Sequence, residues 1–295
     1  RRPPRSTLDR STAASDVYKR QLKSFAKVNI GLQIRGQRPD GFHIIHTLFQ
    51  ELTFHDTLIL EQQHSGCDFF SNVDWLKNDE SNLCVKAWEK MVDAFGIGGV
   101  SMNLEKRIPA GSGLGGGSSN AATALKGLRE LYNLNIPDTE LELIGIELGA
   151  DVPFFIRGGL QVGDGIGEKL TQLKGCMPGI YLLVVPDLQI DTSWAYKNYK
   201  IFLDTSKEQV NFAGFLERDD IPFKFFENDF EAIVVPTYPE IGEIKDTLRA
   251  QGARFASLSG SGSTVYGIFD DEADALSAEL PLTTSYSTFI TEPHL

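Results

Sequence analysis

The sequence predicts an α+β fold of two domains, because its strands and helices are intermixed without regular βαβ alternation. A length of 295 residues corresponds to two domains or one large one, since one domain usually takes about 100–200 residues. The first patterned segment, residues 24–34, alternates apolar and polar side chains as a strand with one buried face does. We place the domain boundary after residue 162, which gives domains of residues 22–162 and 163–295.

A segment of different composition precedes the first strand. Residues 1–21 contain six basic and two acidic residues and no apolar periodicity. They lack the apolar core of a secretory signal, whereas their Arg- and Ser-rich composition leaves a transit peptide as an alternative. We predict a disordered or non-native tail, because the alternating apolar residues begin only at Leu22.

The elements of the first domain follow from periodicity and from turn residues. An Arg-Pro-Asp-Gly turn at residues 38–41 separates the first strand from β-like sequence at 42–52. Gly96 ends a helix that starts at Asn82, and Pro137 precedes a second helix at 138–148. The other predicted elements are strands at 56–62 and 100–108, a helix at 118–132 and a hairpin region at 158–173.

The second domain contains the longest purely apolar run, the six residues Ile180–Val185, which predict a buried strand. A membrane-spanning helix needs about 20 such residues, so none is predicted. The remaining predicted elements are helices at 223–234, 239–251 and 271–279 and strands at 264–269 and 287–291.

Charge and cysteine content exclude some classes of partner. The chain has 28 Lys and Arg against 40 Asp and Glu, a net charge of −12. Broad nucleic-acid or anionic-membrane binding favours basic surfaces, so neither partner is expected, although a small basic pocket for a phosphorylated metabolite is compatible with this charge. The three cysteines, Cys67, Cys84 and Cys176, lie far apart and offer no disulfide framework or zinc site. We therefore expect a reducing compartment, the cytoplasm.

The most informative segment is a glycine-rich loop between a predicted strand and a predicted helix. Glycines lack Cβ atoms and can turn their N–H groups inward, and a helix N-terminus adds further donors, which favours a phosphate site. The alternative is a flexible loop in which Ser118 or Ser119 only caps the helix. The loop consists of Pro109, Ala110, Gly111, Ser112, Gly113, Leu114, Gly115, Gly116, Gly117, Ser118 and Ser119.

Two standard phosphate motifs fail in this context. The P-loop pattern GxxxxGK[ST] fits from Gly111 except that Gly117 replaces the lysine. The dinucleotide pattern GxGxxG fits formally, but the preceding strand carries three charged residues, Glu105–Arg107, unlike a buried central strand. The acidic residue expected about 20 positions on would be Glu130, which lies inside a predicted helix.

The loop resembles the glycine-serine loop of the GHMP kinases, named after galactokinase, homoserine kinase, mevalonate kinase and phosphomevalonate kinase. Two further segments resemble that family's other motifs: Phe-Ala-Lys-Val-Asn-Ile at residues 25–30 and Leu-Ser-Gly-Ser-Gly-Ser-Thr at 258–264. The resemblance runs from about residue 22 to the C-terminus. It implies a ribosomal-protein-S5-like N-terminal domain that binds ATP, a ferredoxin-like α/β-sandwich C-terminal domain, and a substrate in the cleft between them.

Within the family, the strings at residues 38–43, 47–50 and 148–155 resemble members that act on a cytidine-linked substrate of the non-mevalonate isoprenoid pathway. The resemblance makes Asp151 the general base and Lys27 a catalytic cation near the transferred phosphate. It also implies ATP as phosphoryl donor, with Mg²⁺ that Ser119 reaches through the nucleotide. From the residues alone, Asp151 could equally be a turn or capping residue and Lys27 a solvated strand lysine.

The same resemblance implies a substrate site. A cytosine would lie near Phe42 and His43, with Tyr196 on its other side, although Trp194 and Tyr199 are neighbouring alternatives to Tyr196. The other implied contacts are Asn29, Thr192, Ser259, Gly260, Ser261 and Gly262. The alternatives are another GHMP kinase of the homoserine or mevalonate type, a non-catalytic nucleotide-binding protein, or an RNA-binding module that shares the first domain's fold. A monomer or a homodimer is expected.

Overall fold

The computed structural model describes residues 19–199, 210–216 and 221–295. Within these ranges the chain forms two β-sheets that pack against each other, and helices pack on the outer face of each sheet. The α+β prediction is confirmed by this architecture. Within the described ranges, no helix is both long enough and apolar enough to cross a membrane.

The first sheet has six strands: β1 (Lys19–Gln37), β2 (His43–Gln63), β3 (Cys67–Ser71), β4 (Gly99–Glu105), β5 (Leu160–Gly165) and β6 (Lys169–Gln172). The 21-residue β2 pairs with β1 along one edge and with β4 and β5 along the other. Four helices pack on this sheet and share its core: α1 (Leu83–Phe95), α2 (Gly116–Leu131), α3 (Asp138–Leu148) and α4 (Val152–Arg157).

The second sheet is antiparallel and has the order β10-β7-β9-β8. Its strands are β7 (Ile180–Val185), β8 (Phe255–Leu258), β9 (Val265–Phe269) and β10 (Ser287–Thr291). The helices of this half are α5 (Thr192–Asn198), α6 (Phe212–Leu216), α7 (Glu231–Thr237), α8 (Pro239–Ala250) and α9 (Glu272–Glu279). A third core joins the two sheets, because Val28 and Ile30 of β1 share it with Tyr181 and Leu183 of β7. The two halves therefore pack through a continuous apolar layer.

Several predicted elements agree with the structure to within one residue, among them α1, α3, β7 and β10. The two strands predicted at 42–52 and 56–62 are one continuous strand, β2. The helix predicted at 223–234 is wrong: a 3₁₀ turn covers Phe223–Phe225 and α7 starts only at Glu231. Between them the backbone bonds to β1 instead, since Leu32 N–H donates to the Glu227 carbonyl and Asp229 N–H to the Leu32 carbonyl.

The first sheet extends beyond residues 22 and 162, the predicted limits of the first domain. β5 spans residue 162 and pairs with β2, and β6 pairs with β5, so the first sheet extends to Gln172. β1 begins at Lys19, where residues 19–21 pair with residues 59–61. Apolar alternation begins only at Leu22 and therefore does not reveal these three residues, because backbone pairing does not require apolar side chains. Residues 1–18 lie outside the described ranges.

Candidate active site

The glycine loop folds back on the second glycine-rich turn of the chain. Gly111, Gly113 and Gly115 have φ angles of 64°, 80° and 72°, a region that glycine adopts without steric cost. A Cβ on Gly113 would lie 2.3 Å from the Ser259 carbonyl oxygen, so the contact requires glycine. Ser259 Oγ donates to the Gly113 carbonyl over 2.9 Å. Two motifs 146 residues apart are thereby joined.

The N-terminus of α2 borders a cavity of about 370 Å³, here named the glycine-loop cavity. Residues 109–113 and 115–118 line it, together with Trp75, Leu83 and Asp151. The N-cap residue Gly115 has no side chain to bond the first-turn N–H groups. Uncapped N–H groups at a helix N-terminus form an anion site suited to phosphate.

The loop residues differ in what they contact. Leu114 is fully buried, and its carbonyl accepts the backbone N–H of Lys27 over 3.0 Å, which fixes the loop against β1. Ser112 is also buried, and its hydroxyl donates to the Pro109 carbonyl. Ser118 lines the glycine-loop cavity, whereas Ser119 is 1% exposed.

Sequence reasoning missed a lysine that lines this cavity, Lys106. Its Nζ lies 2.5 Å from Asp56 Oδ2, and a Cβ on Gly116 would lie 2.8 Å from the same Nζ. Asp56 is fully buried and also accepts from the N–H groups of Arg107 and Ile108 and from the Asn120 amide. The P-loop pattern places a lysine after the glycines, while this one lies just before them, so a search on both sides of the loop would have found it.

Lys27 lies on β1, is 4% exposed, and lines a second, larger cavity that meets the first at Asp151. Its Nζ donates to Asn29 Oδ1 over 2.6 Å and lies 3.6 Å from Asp151 Oδ2. Asn29 in turn donates to Thr47 Oγ1 over 3.0 Å. Burial lowers the pKa of Lys27, and the Asp151 carboxylate opposes that shift. Lys27 is therefore a buried amine held by one amide and one carboxylate, not a solvated strand lysine.

Asp151 occupies the N-cap position of α4, but its side chain makes no capping hydrogen bond. The carboxylate lines both the glycine-loop cavity and the larger cavity beside it. About a third of the side chain is exposed, which leaves it reachable from either side. The predicted Lys27–Asp151 pair is thus brought together at the junction of two cavities.

The larger cavity, of about 850 Å³, is here named the aromatic cavity. Its lining includes Phe42, Phe49, Tyr196, Tyr199 and Phe230, and on the polar side Lys27, Asn29, His43, Asp151, Thr192, Gly260 and Ser261. Strands of the first sheet, α5 and the 259–262 turn all contribute to it. Flat aromatic walls with a few polar groups are typical of a site for a ring-bearing small molecule.

His43 and Tyr196 stack on each other in this cavity, with ring centroids 4.9 Å apart. Tyr196 also packs edge-on against Phe230. Burial raises the pKa of Tyr196 to about 12, with a further contribution from the charge on Asp151, and burial lowers the pKa of His43. Phe42 is 58% exposed, so its ring stands at the cavity mouth.

The turn at residues 259–262 closes the cavity from the second domain. Ser261 Oγ lies 2.9 Å from Thr192 Oγ1, which ties this turn to the start of α5. A Cβ on Gly260 would lie 3.3 Å from Asn29 Oδ1 and 3.7 Å from Lys27 Nζ. Gly262 packs its backbone against Ile190 and Leu258. Of the two alternatives to Tyr196, Tyr199 lines the cavity, whereas Trp194 packs against Tyr238.

Comparison with known proteins decides the family. The model of the GHMP kinases N terminal domain matches residues 82–159, and that of the GHMP kinases C terminal domain matches residues 220–287. A curated relative from Chlorobium chlorochromatii is 42% identical over 280 residues, which are 92% of this chain and 96% of the relative. This chain belongs to the GHMP kinases.

Two curated relatives of this GHMP kinase carry the same name. The protein from Chlorobium chlorochromatii is a 4-diphosphocytidyl-2-C-methyl-D-erythritol kinase, as is one from Chlorobaculum tepidum that is 41% identical over 87% of this chain and 91% of its own. A crystal structure of 4-(cytidine 5′-diphospho)-2C-methyl-D-erythritol kinase matches with a TM-score of 0.81 and 32% identity, over 94% of this chain and 100% of that one.

A more distant structure shares the fold only. Homoserine kinase from Cytophaga hutchinsonii matches with a TM-score of 0.69 but 17% identity, over 95% of each chain. The two-domain GHMP kinase architecture predicted from the three motifs is confirmed by these matches.

Proposed function

We propose that this kinase transfers the terminal phosphoryl group of ATP to the 2-hydroxyl of 4-diphosphocytidyl-2-C-methyl-D-erythritol. One observation carries the proposal: the glycine-loop cavity and the aromatic cavity share Gly113 and Asp151. A phosphoryl donor in the first and a cytidine-linked alcohol in the second would bring the two reacting groups together at Asp151. In-line transfer requires this kind of juxtaposition.

Asp151 and Lys27 have distinct roles in this reaction. Asp151 accepts the proton of the attacking hydroxyl while the new P–O bond forms and the bond to the ADP oxygen breaks. Lys27, 3.6 Å away, neutralises charge on the transferred group and orients the carboxylate. Asn29 holds the Lys27 Nζ at this point, so it acts through the lysine as well as lining the cavity.

ATP phosphates fit the N-terminus of α2, where the backbone of residues 115–118 lines the cavity and lacks a side-chain cap. Lys106 adds a cation, which Asp56 holds from behind. In the described part of the chain, no group of three or more metal-ligating side chains could hold a metal alone. Mg²⁺ that keeps several waters and binds through the phosphates needs none. Ser118 and Asp151 border that position, and Ser119 follows Ser118 inside the helix.

The substrate's cytosine fits in the aromatic cavity beside Phe42 and Tyr196, because a flat base can stack on aromatic rings. His43 carries one donor and one acceptor in its neutral form, which burial favours. A cytosine edge also presents both a donor and an acceptor. The turn at 259–262, together with Thr192, faces the remaining polar part of the substrate.

Two alternatives are less consistent with this geometry. Homoserine and mevalonate have no ring that could stack on the aromatic side chains lining this cavity, so they do not account for that lining. Nucleotide binding alone does not require a carboxylate that borders both cavities with a buried lysine 3.6 Å away. The first alternative shares the chemistry and differs only in the acceptor, so it is the one that an experiment must separate.

The test is ADP release with three acceptors: the cytidyl substrate, homoserine and mevalonate. We expect turnover with the first only, and phosphorus NMR of its product should show a new phosphomonoester on the 2-oxygen. A kcat/KM for homoserine or mevalonate equal to that for the cytidyl substrate would contradict the substrate assignment. ADP release without any phosphorylated acceptor would contradict the kinase assignment.

A further inference from the structure

The short helix α4 has an unusual place in this site, because it starts directly after Asp151 and has only six residues. The Asp151 side chain makes no capping bond of its own. Apart from the Lys27 amine 3.6 Å away, its position depends on how the helix as a whole is held. A six-residue helix is about 9 Å long, so a tilt at one end is transmitted to the other.

Side chains from outside the helix bond its C-terminal carbonyls. Lys126, on α2, donates from Nζ to the Phe155 carbonyl over 2.8 Å. Gln161, on β5, donates to the Phe154 carbonyl over 3.0 Å and to the Gly158 carbonyl over 2.8 Å. The last carbonyls of a helix have few partners within it, although the Phe154 carbonyl also accepts the backbone N–H of the C-cap Gly158. The side-chain bonds fix the end of α4 to α2 and to the sheet.

The ring of Phe155 extends the same support to the other reacting groups. Phe155 is 1% exposed. A Cβ on Gly115 would lie 2.7 Å from its ring and 3.1 Å from Lys27 Cγ. One residue thus carries the carbonyl that Lys126 bonds and the ring that packs against the glycine loop beside the Lys27 stem. The Lys126 bond therefore bears on the spacing of the loop, Lys27 and Asp151.

From these contacts we infer that Lys126 is a positioning residue of the phosphoryl transfer: it holds the C-terminal end of α4 and thereby places the Asp151 carboxylate. The inference rests on the proposed role of Asp151. Lys126 lines neither the glycine-loop cavity nor the aromatic cavity, and its amine bonds the Phe155 carbonyl. Either charge state of the amine can donate this bond, so the support does not depend on a titration.

The first test is Lys126→Met, which keeps most of the aliphatic stem and removes the donor. We expect kcat to fall about 10- to 100-fold, since a displacement of about 1 Å can cost this much, with the KM values for ATP and for the cytidyl substrate within about twofold of wild type. Lys90→Met is the control, because the Lys90 amine also links two helices, through Glu147, and neither residue belongs to α4. A wild-type kcat in Lys126→Met would overturn the inference.

A double mutant separates positioning from general structural damage. In an Asp151→Asn background, Lys126→Met should lower the residual rate less than about twofold, because the group it positions is already inactive. An unchanged 10- to 100-fold loss in that background would overturn the inference. If Asp151→Asn alone keeps a wild-type kcat, the proposed function of Asp151 fails instead, which is a different result from a normal rate in Lys126→Met.

Two conservative variants keep the test decisive if Lys126→Met does not fold. Lys126→Arg retains a long donor and should recover kcat to within about fivefold of wild type. Lys126→Gln retains a donor on a chain one atom shorter, and its kcat should fall between those of Arg and Met. A loss in Lys126→Arg as large as in Lys126→Gln would show that the donor at this position is not what sets the rate.

Discussion

The two cavities that meet at Asp151 are built from different parts of the chain. The phosphate-binding side of the glycine-loop cavity comes from one segment of the chain, residues 109–113 and 115–118, whose N–H groups would bind phosphate. The aromatic cavity is lined by side chains from β1, β2, α5 and the 259–262 turn, which are far apart in sequence. A phosphate is recognised by geometry that one local segment can provide, whereas a ring-bearing substrate needs walls on several sides.

This difference sets how each cavity should respond to substitution. Changes in the loop act through backbone conformation and close contacts, so even a methyl group should be costly there. A substitution in the aromatic cavity removes one of several rings that line it. Substrate affinity should therefore fall only in part. Asp151 borders both cavities and should respond most strongly.

The largest effect is expected for Asp151→Asn. The amide keeps the size of the side chain but cannot accept the hydroxyl proton, and a positioned general base contributes about 10²–10⁴-fold. We expect kcat to fall by that factor while ATP affinity, measured by calorimetry, stays near wild type. Asp93→Asn on the exposed face of α1 is the control. A near-normal kcat would remove Asp151 from the mechanism.

A loss of at least about tenfold in ATP affinity is expected for Gly115→Ala. Gly115 and Gly111 have similar φ angles of 72° and 64°, so alanine is strained similarly at both. The Gly115 Cβ would collide with the buried Phe155 ring at 2.7 Å, whereas nothing lies within 4 Å of the Gly111 Cβ. Equal ATP affinity in the two variants, measured on folded protein, would show that this close contact does not shape the phosphate site.

The same contrast explains how far the sequence could predict the site. The glycine loop can be predicted from local composition, because a run of residues without Cβ atoms before a helix is typical of a phosphate site. The role of Lys27 could not be derived locally, because its burial depends on Asn29, Thr47 and the turn at Gly260. Only the resemblance to a family brought Lys27 and Asp151 together in advance.

Lys106 and α4 show what local patterns miss. In the sequence, Lys106 is one of three charged residues that argue against a buried strand. Its partner Asp56 lies on β2, 50 residues away, so local sequence does not reveal the pair. α4 was not predicted, since six residues with Pro153 are too few for a periodic signal. Both owe their place to tertiary contacts.

A graded effect is expected at Tyr196. Tyr196→Leu removes the ring and should raise the KM for the cytidyl substrate about 2- to 12-fold, the range for an aromatic pair, with the KM for ATP unchanged. Tyr196→Phe keeps the ring and should stay within about twofold of wild type, with the same pH profile up to pH 10, because the wild-type hydroxyl has a pKa of about 12. If Phe and Leu are equally impaired, the hydroxyl rather than the stacked ring binds the substrate.

The smallest expected effect is a change in the free energy of unfolding with pH, caused by the titration of Lys27. Burial lowers the pKa of Lys27 in the folded protein below its ordinary value of 10.5. Between the folded and unfolded pKa values the unfolded chain binds more protons, so the free energy of unfolding should rise with pH across that window through Lys27. Below the folded pKa both states are protonated, and the buried charge lowers the stability by its full amount.

Lys27→Met removes this titration and should lose activity without losing stability. At neutral pH the variant should unfold at the same temperature as wild type or a higher one, because the methionine stem fills the site without a buried charge. As pH rises toward 10.5, wild type should gain stability relative to the variant, which denaturant unfolding at a series of pH values would measure. A constant difference across that range would mean that Lys27 titrates as a solvated lysine does. The contacts of Lys27 with Asn29 and Asp151 would then contribute no more to the free energy of unfolding than a surface ion pair does.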